Sequence, residues 1–90
     1  MATIKFTQAL KRFYPTLDSL NIEADRVDIV LEKIEEKYPG INSYILDDQG
    51  RLRKHVNIFV DGQMILDRDQ QSDILTSNSE VYIMQALSGG

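Results

Sequence analysis

The sequence predicts an α+β domain in which a mixed sheet packs on one main helix. Three observations carry that expectation. A single stretch, near the middle, repeats its apolar residues at helical spacing. The runs on either side of it alternate apolar and polar residues or are rich in β-branched ones, as half-buried strands do. The chain has 90 residues, room for one core and not two. One amphipathic helix covers one face of one sheet, so the simplest packing is two layers.

In residues 3–7, Thr-Ile-Lys-Phe-Thr, Ile4 and Phe6 alternate with polar neighbours and read as a strand. Residues 8–16 are mixed and interrupted by Pro15, which reads as a turn or wide hairpin loop. Residues 17–23 alternate again at Leu20 and Ile22, completing a hairpin. Val27, Val30, Leu31, Ile34 and Tyr38 then fall at offsets 0, 3, 4, 7 and 11, one face of a helix. Asp25 is the expected N-cap, and Asp28 lies near the positive end of the helix dipole. Lys33 and Lys37 lie toward the other end, and Pro39-Gly40 stops the helix. Ile29 sits off the stripe.

Residues 40–54 read as irregular, with a turn at Asp47-Asp48-Gln49-Gly50. His55 to Val60 is β-branched and aromatic, a strand composition. Asp61-Gly62 then forms a hairpin turn into Gln63-Met64-Ile65, because glycine accepts positive φ. Residues 66–79 read as loop, apart from an apolar step at Ile74-Leu75. The last strand covers residues 80–87, and Ser88-Gly89-Gly90 follows it. The order is β-β-α-β-β-β, and the first and last strands are expected to pair at the centre of the sheet.

Composition narrows the function. Hydrophobic residues make up 42% and charged residues 27%, a globular balance. Ten Lys and Arg against 14 Asp and Glu leave a net charge of −4, a poor basis for general nucleic-acid binding. No apolar run approaches the roughly 20 residues that span a bilayer, and the first residues lack the layout of a secretion signal. There is no cysteine and one histidine, His55. Disulfides, thiolate metal sites and two-histidine relays are thereby excluded, and the chain is expected to be cytoplasmic, to bind no metal or cofactor itself, and not to be an enzyme.

The acidic stretch Asp67-Arg68-Asp69-Gln70-Gln71-Ser72-Asp73 spaces carboxylates like a calcium loop. An EF-hand needs Gly at position 6 and Glu at position 12, where this chain has Ser72 and Asn78, so a solvated loop is the better reading. Asp47-Asp48 beside a glycine reads as a turn and not as a catalytic pair. Arg51, Arg53, Lys54 and His55 form one basic cluster, either a solvated start to the strand or a contact for an acidic partner. In the last strand, Val81 and Ile83 are expected to face the helix. Phe59, Tyr82 and Met84 then share the open face, a candidate partner-docking patch. The alternatives are a register displaced by one residue, or burial of that face under the 41–55 connection.

The two closing glycines are the strongest functional clue. Lacking Cβ atoms, they form a thin, permissive thread that can enter a groove closed to larger residues. The domain is therefore expected to span residues 1–90 with a flexible diglycine tail. A carboxylate is a poor electrophile, and the sequence has neither GxxxxGK nor GxGxxG to cradle a phosphate. Activation of the terminus would have to come from another protein.

These features resemble the MoaD/ThiS family of sulfur carriers, with the ubiquitin-like β-grasp fold. The resemblance spans nearly the whole chain. Its matching pieces are the first hairpin, the helix ending in Glu36-Lys37-Tyr38-Pro39, the segment Val56-Asn57-Ile58-Phe59-Val60, and the last strand running into Ser88-Gly89-Gly90. The 40–55 connection, with Gly50, Leu52 and His55, looks most like carriers of the CysO type in cysteine biosynthesis. Asn78-Ser79-Glu80 replaces the usual Gly-Asp turn, and Ser88 replaces a common alanine; both leave the pathway open. The resemblance implies that an E1-like enzyme, using ATP, adenylates the Gly90 carboxylate. Sulfur then replaces AMP, and the thiocarboxylate donates sulfide to an acceptor enzyme making cysteine, molybdopterin, thiamine or a thiolated nucleotide. Gly90 would carry the sulfur, Gly89 would supply clearance, and Phe59, Tyr82 and Met84 would dock both partners, with no role for nucleic acid as a ligand or for a membrane.

Two other functions share these features. A ubiquitin-like modifier would be joined through Gly90 to lysines of target proteins. A non-covalent β-grasp interaction module would carry the glycines incidentally and survive their removal.

Overall fold

The computed structural model describes residues 1–85. Its first strand, β1 (Ala2–Phe6), buries Ala2, Ile4 and Phe6 and turns Thr3 and Lys5 outward. The other strands are β2 (Leu20–Ile22), β3 (Val56–Val60), β4 (Gln63–Met64) and β5 (Glu80–Gln85). They form one mixed sheet in the order β2-β1-β5-β3-β4. β1 lies parallel to β5, with Ile4 opposite Val81 and Phe6 opposite Ile83. The remaining pairings are antiparallel. The first and last strands meet at the centre, as the alternation predicted.

The main helix, α2 (Val27–Lys37), covers one face of this sheet. Val27, Val30, Leu31 and Ile34 pack against Ile4, Val56, Ile58, Val81 and Ile83, and every one of these is 2% exposed or less. Each such side chain contributes roughly 1.5–3 kcal/mol by leaving water. Val60 is half-buried at the edge of the cluster.

The expected cap of α2 is corrected. Arg26, not Asp25, is the N-cap residue, and its side chain makes no capping bond. The first helical N–H groups are met by backbone instead: Val27 donates to the carbonyl of Asp73 (3.1 Å) and Asp28 to that of Gln71 (2.9 Å). The 66–79 connection thus takes the place of a capping side chain. Gln71, at φ 53° and buried, holds that connection by donating its amide to the carbonyls of Arg68 and Gly50.

Two short helices appear in stretches that read as irregular. α1 (Gln8–Lys11) buries Ala9 and Leu10, and α3 (Asn42–Ile45) buries Ile45, with Ile41 just before it. Both are single turns without side-chain caps, made where burying one or two apolar residues outweighs poor local signals. Between α2 and α3 the Glu35 carboxylate accepts the N–H groups of Gly40 (2.6 Å) and Asn42 (3.0 Å). The Gly40 bond first, then the Asn42 bond, hold its pKa below the ordinary glutamate value. Gly40 has φ 92°, and a Cβ there would lie 3.2 Å from the Tyr14 hydroxyl, so the helix exit requires glycine.

The hairpin at Asp61-Gly62 forms as expected, with φ of 51° and 85°, the all-positive turn that matches strand twist. β4 is only two residues long; Ile65 just after it donates to the Ile58 carbonyl (2.9 Å), and the far end of the β3 edge is closed by a side chain. Arg68 donates to the carbonyls of Val56 and Arg53 and to the side chain of Asn57, which blunts an edge otherwise open to pairing. No described helix is long and apolar enough to cross a membrane.

Candidate functional site

The two faces of the sheet differ because strand side chains alternate. The core accounts for Val56, Ile58, Val81 and Ile83. The intervening residues Asn57, Phe59, Tyr82 and Met84 therefore share the opposite face. Register brings them together: Phe59 lies opposite Tyr82, and Asn57 opposite Met84. Phe59 and Tyr82 are half-buried and Met84 is 41% exposed. With Gly62 and Glu80 they line a shallow recess of about 230 Å³. The register is the expected one. The 41–55 connection does not bury this face, since Ile41, Ile45 and Leu52 pack into the core on the helix side.

Sequence reasoning missed Met64, which lies opposite Phe59 across the β3–β4 pair and is 49% exposed. Its signal was its place two residues after Gly62, where hairpin pairing sets it against Phe59. Two flexible thioethers flanking two rings make an apolar, adaptable surface. A polar border completes it. Lys5, beside Tyr82 in the β1–β5 pairing, reaches Glu80 at 3.5 Å. Asp61 ties the hairpin to β5, its carboxylate accepting the Glu80 N–H at 2.9 Å.

The other expected site residues, Gly89 and Gly90, lie outside the described residues, as do Ala86, Leu87 and Ser88. The chain leading to them is held up to Gln85. Its backbone N–H donates to the Thr7 hydroxyl (3.2 Å), its side-chain amide donates to the carbonyl of Tyr44 (3.4 Å), and it pairs with Val56. Residue 86 therefore follows from a point fixed among β1, α3 and β3.

The carboxylate clusters serve the backbone. Asp67 accepts the Ser72 hydroxyl and the N–H groups of Asp69, Gln70 and Ser72. The Ser72 hydroxyl, then the Gln70 N–H, lower its pKa. Asp73 accepts the N–H groups of Leu66 and Asp67. Asp47 accepts those of Gln49 and Arg51, with its pKa lowered chiefly by the Arg51 bond. These are turn and loop fastenings. Among the described residues, no three His, Cys, Asp or Glu side chains are grouped to hold a metal ion. What the open face and the anchored end of β5 offer is attachment: a surface to grip and a fixed origin for the five residues beyond it.

The sequence model of the ThiS family matches residues 4–90. This chain belongs to the ThiS family. The solved structures agree on the fold. A chain of the BexX/CysO complex of Amycolatopsis orientalis is similar with a TM-score of 0.84 at 16% identity, covering 100% of both chains. CysO of Mycobacterium tuberculosis gives 0.82 at 22% identity, covering 96% of this chain and 99% of that one. Small archaeal modifier protein 1 of Methanosarcina acetivorans gives 0.79 at 23% identity, covering 99% and 95%. No curated protein matches the chain. The fold is the ubiquitin-like β-grasp of the ThiS-family carriers and modifiers, with its mixed five-stranded sheet.

Proposed function

We propose that this ThiS-family protein is a sulfur carrier that works through the Gly90 carboxylate and is not itself a catalyst. The observation that carries the reading is that the family match runs through both closing glycines, to residue 90. The likeness to CysO supports it, as does a one-sided sheet whose apolar face lies beside the strand that leads to them. An E1-like enzyme binds ATP as co-substrate. The Gly90 carboxylate oxygen attacks the α-phosphorus, pyrophosphate leaves, and an acyl-adenylate forms. Hydrosulfide then attacks the acyl carbon, the bond to AMP breaks, one proton is released, and the terminus becomes a thiocarboxylate. Gly89 gives clearance in the enzyme's groove. Phe59, Tyr82 and Met84, joined by Met64, dock first the activating enzyme and then the sulfur-acceptor enzyme, as the existence of a BexX/CysO complex illustrates for that pair. The cytoplasm, where thiols stay reduced, suits this chemistry.

Intact mass tests this. Incubated with the source organism's E1-like enzyme, ATP, magnesium and sulfide, the chain should gain the mass of one oxygen exchanged for sulfur, located at Gly90 by fragmentation. No exchange would overturn the reading. The fold's likeness to a small archaeal modifier protein favours one alternative. If the chain is a modifier, blots from the native host will show conjugate ladders that vanish when Gly90 is deleted.

A further inference from the structure

Around Gln85 the structure assembles a collar from three elements far apart in sequence. Phe13, 56% exposed just after α1, stacks on Tyr44 of α3 with ring centroids 4.5 Å apart. Tyr44 in turn accepts the Gln85 amide through its carbonyl. The Arg53 guanidinium donates to the carbonyl of Ser43, one residue before Tyr44. Arg12 adjoins Phe13, and Lys54 and His55 run from Arg53 to the start of β3, whose Val56 faces Gln85. Arg12, Lys54 and His55 are exposed, and none is in an ion pair among the described residues. Asp47 shares the recess of Arg53, Lys54 and His55, and with Arg12 the cations still outnumber it, a cationic, aromatic rim on a chain whose net charge is −4. At the opposite end of the sheet the surface recess mixes both signs, with Glu23 and Asp25 beside Lys33 and the N-terminal Met1. The cationic rim thus stands where the last five residues begin.

We propose that this collar is a second docking site, distinct from the Phe59–Tyr82–Met84 face, and that it seats an acidic rim around the groove of the E1-like enzyme that receives the glycine tail. The inference rests on the carrier reading and specifies the chemistry of that partner's surface. Arginine and exposed aromatic rings are the residue types that interfaces favour. Complementary charge at the mouth of a groove speeds and orients encounter more than it alters the chemical step. Positive charge at the tail's root favours encounters that present the tail end first.

The test is ATP–pyrophosphate exchange catalysed by the purified E1-like enzyme of the source organism. The full chain is compared with Arg12→Glu/Lys54→Glu, with the milder Arg12→Gln/Lys54→Gln, and with Arg26→Gln at the far end. Thermal melting verifies that each is folded; the substituted residues are exposed, so the glutamine pair keeps the comparison open should the glutamate pair melt. For the glutamate pair, KM for the chain should rise about tenfold in ~50 mM salt with kcat unchanged, and most of the difference should vanish at ~300 mM salt, where screening shortens the reach of charge. Arg26→Gln should leave both constants unchanged. Equal kinetic constants for wild type and both collar pairs would overturn the collar, as would a fall in kcat at constant KM. So would collar-dependent binding of tRNA with exchange unaffected, which would make it a nucleic-acid site. Failure of the wild-type chain to support any exchange would instead defeat the carrier reading itself.

Discussion

Strand β5 shows two fates for adjacent residues. Val81 and Ile83 are wholly buried beneath α2, while Tyr82 and Met84, one position away, line an open recess. Both sets are apolar, so hydrophobicity alone does not separate them. Shape does: the helix side takes branched aliphatic side chains that interdigitate closely, and the open side takes rings and thioethers, which adapt to a surface not yet present. The helix face should therefore govern stability and the open face binding.

The largest effect expected on that comparison is Ile83→Ala. Ile83 sits opposite Ile58 on the central strand and is 0% exposed, so truncation should destabilise the fold by about 2–5 kcal/mol. Urea unfolding measures it, and a loss below about 1 kcal/mol would mean that the helix face is not the core that holds the sheet. Tyr82→Ala should do the reverse. Removing one half of the Phe59–Tyr82 pair should cost at most about 1 kcal/mol of stability, yet weaken docking to the E1-like enzyme by about 2 kcal/mol or more, the scale of a central aromatic anchor. Calorimetric titration beside a melt separates the two. Unchanged affinity would assign the open face no part in docking.

Much of this division was legible in the sequence because strand alternation has a period of two and a register error would have inverted it. The helix stripe from Val27 to Tyr38 was equally readable. What escaped was short or non-local. α1 and α3 are single turns; the pair Ile41 and Ile45, four apart and both fully buried, was the one signal available for α3. The cap of α2 could not be read from Asp25, because its partners are the carbonyls of Asp73 and Gln71, more than forty residues away. For the same reason the collar was visible only in part: Arg53, Lys54 and His55 stood out as a cluster, but Arg12, Phe13 and Tyr44 join them only through tertiary packing.

A smaller effect is expected at Glu35, which fastens the exit of α2 on the helix side. Glu35→Gln keeps the size but removes the charge that strengthens the bonds to Gly40 and Asn42, and should cost about 1 kcal/mol near neutral pH. Because the folded-state pKa is lowered, its stabilisation is present above the unfolded glutamate value of about 4.3 and is lost as pH falls through the lower folded value. The gap between wild type and Glu35→Gln should accordingly narrow in acid. A gap that stayed constant down to about pH 2 would show that the carboxylate charge is not what stabilises this turn.

The smallest effect belongs to the open face, at Lys5 and Glu80. The pair spans 3.5 Å with both side chains about half exposed, so water screens it and holding two long side chains together costs entropy. A double-mutant cycle with Lys5→Ala and Glu80→Ala should give a coupling of about 0–0.5 kcal/mol in unfolding, falling further in high salt. That weakness matters for function. A pair held loosely beside Tyr82 can exchange its internal contact for one with a partner at little expense, whereas a strongly coupled pair would have to be broken before docking. A measured coupling above about 1 kcal/mol would place Lys5 and Glu80 with the structural side of the sheet and shrink the docking face to the rings and thioethers alone.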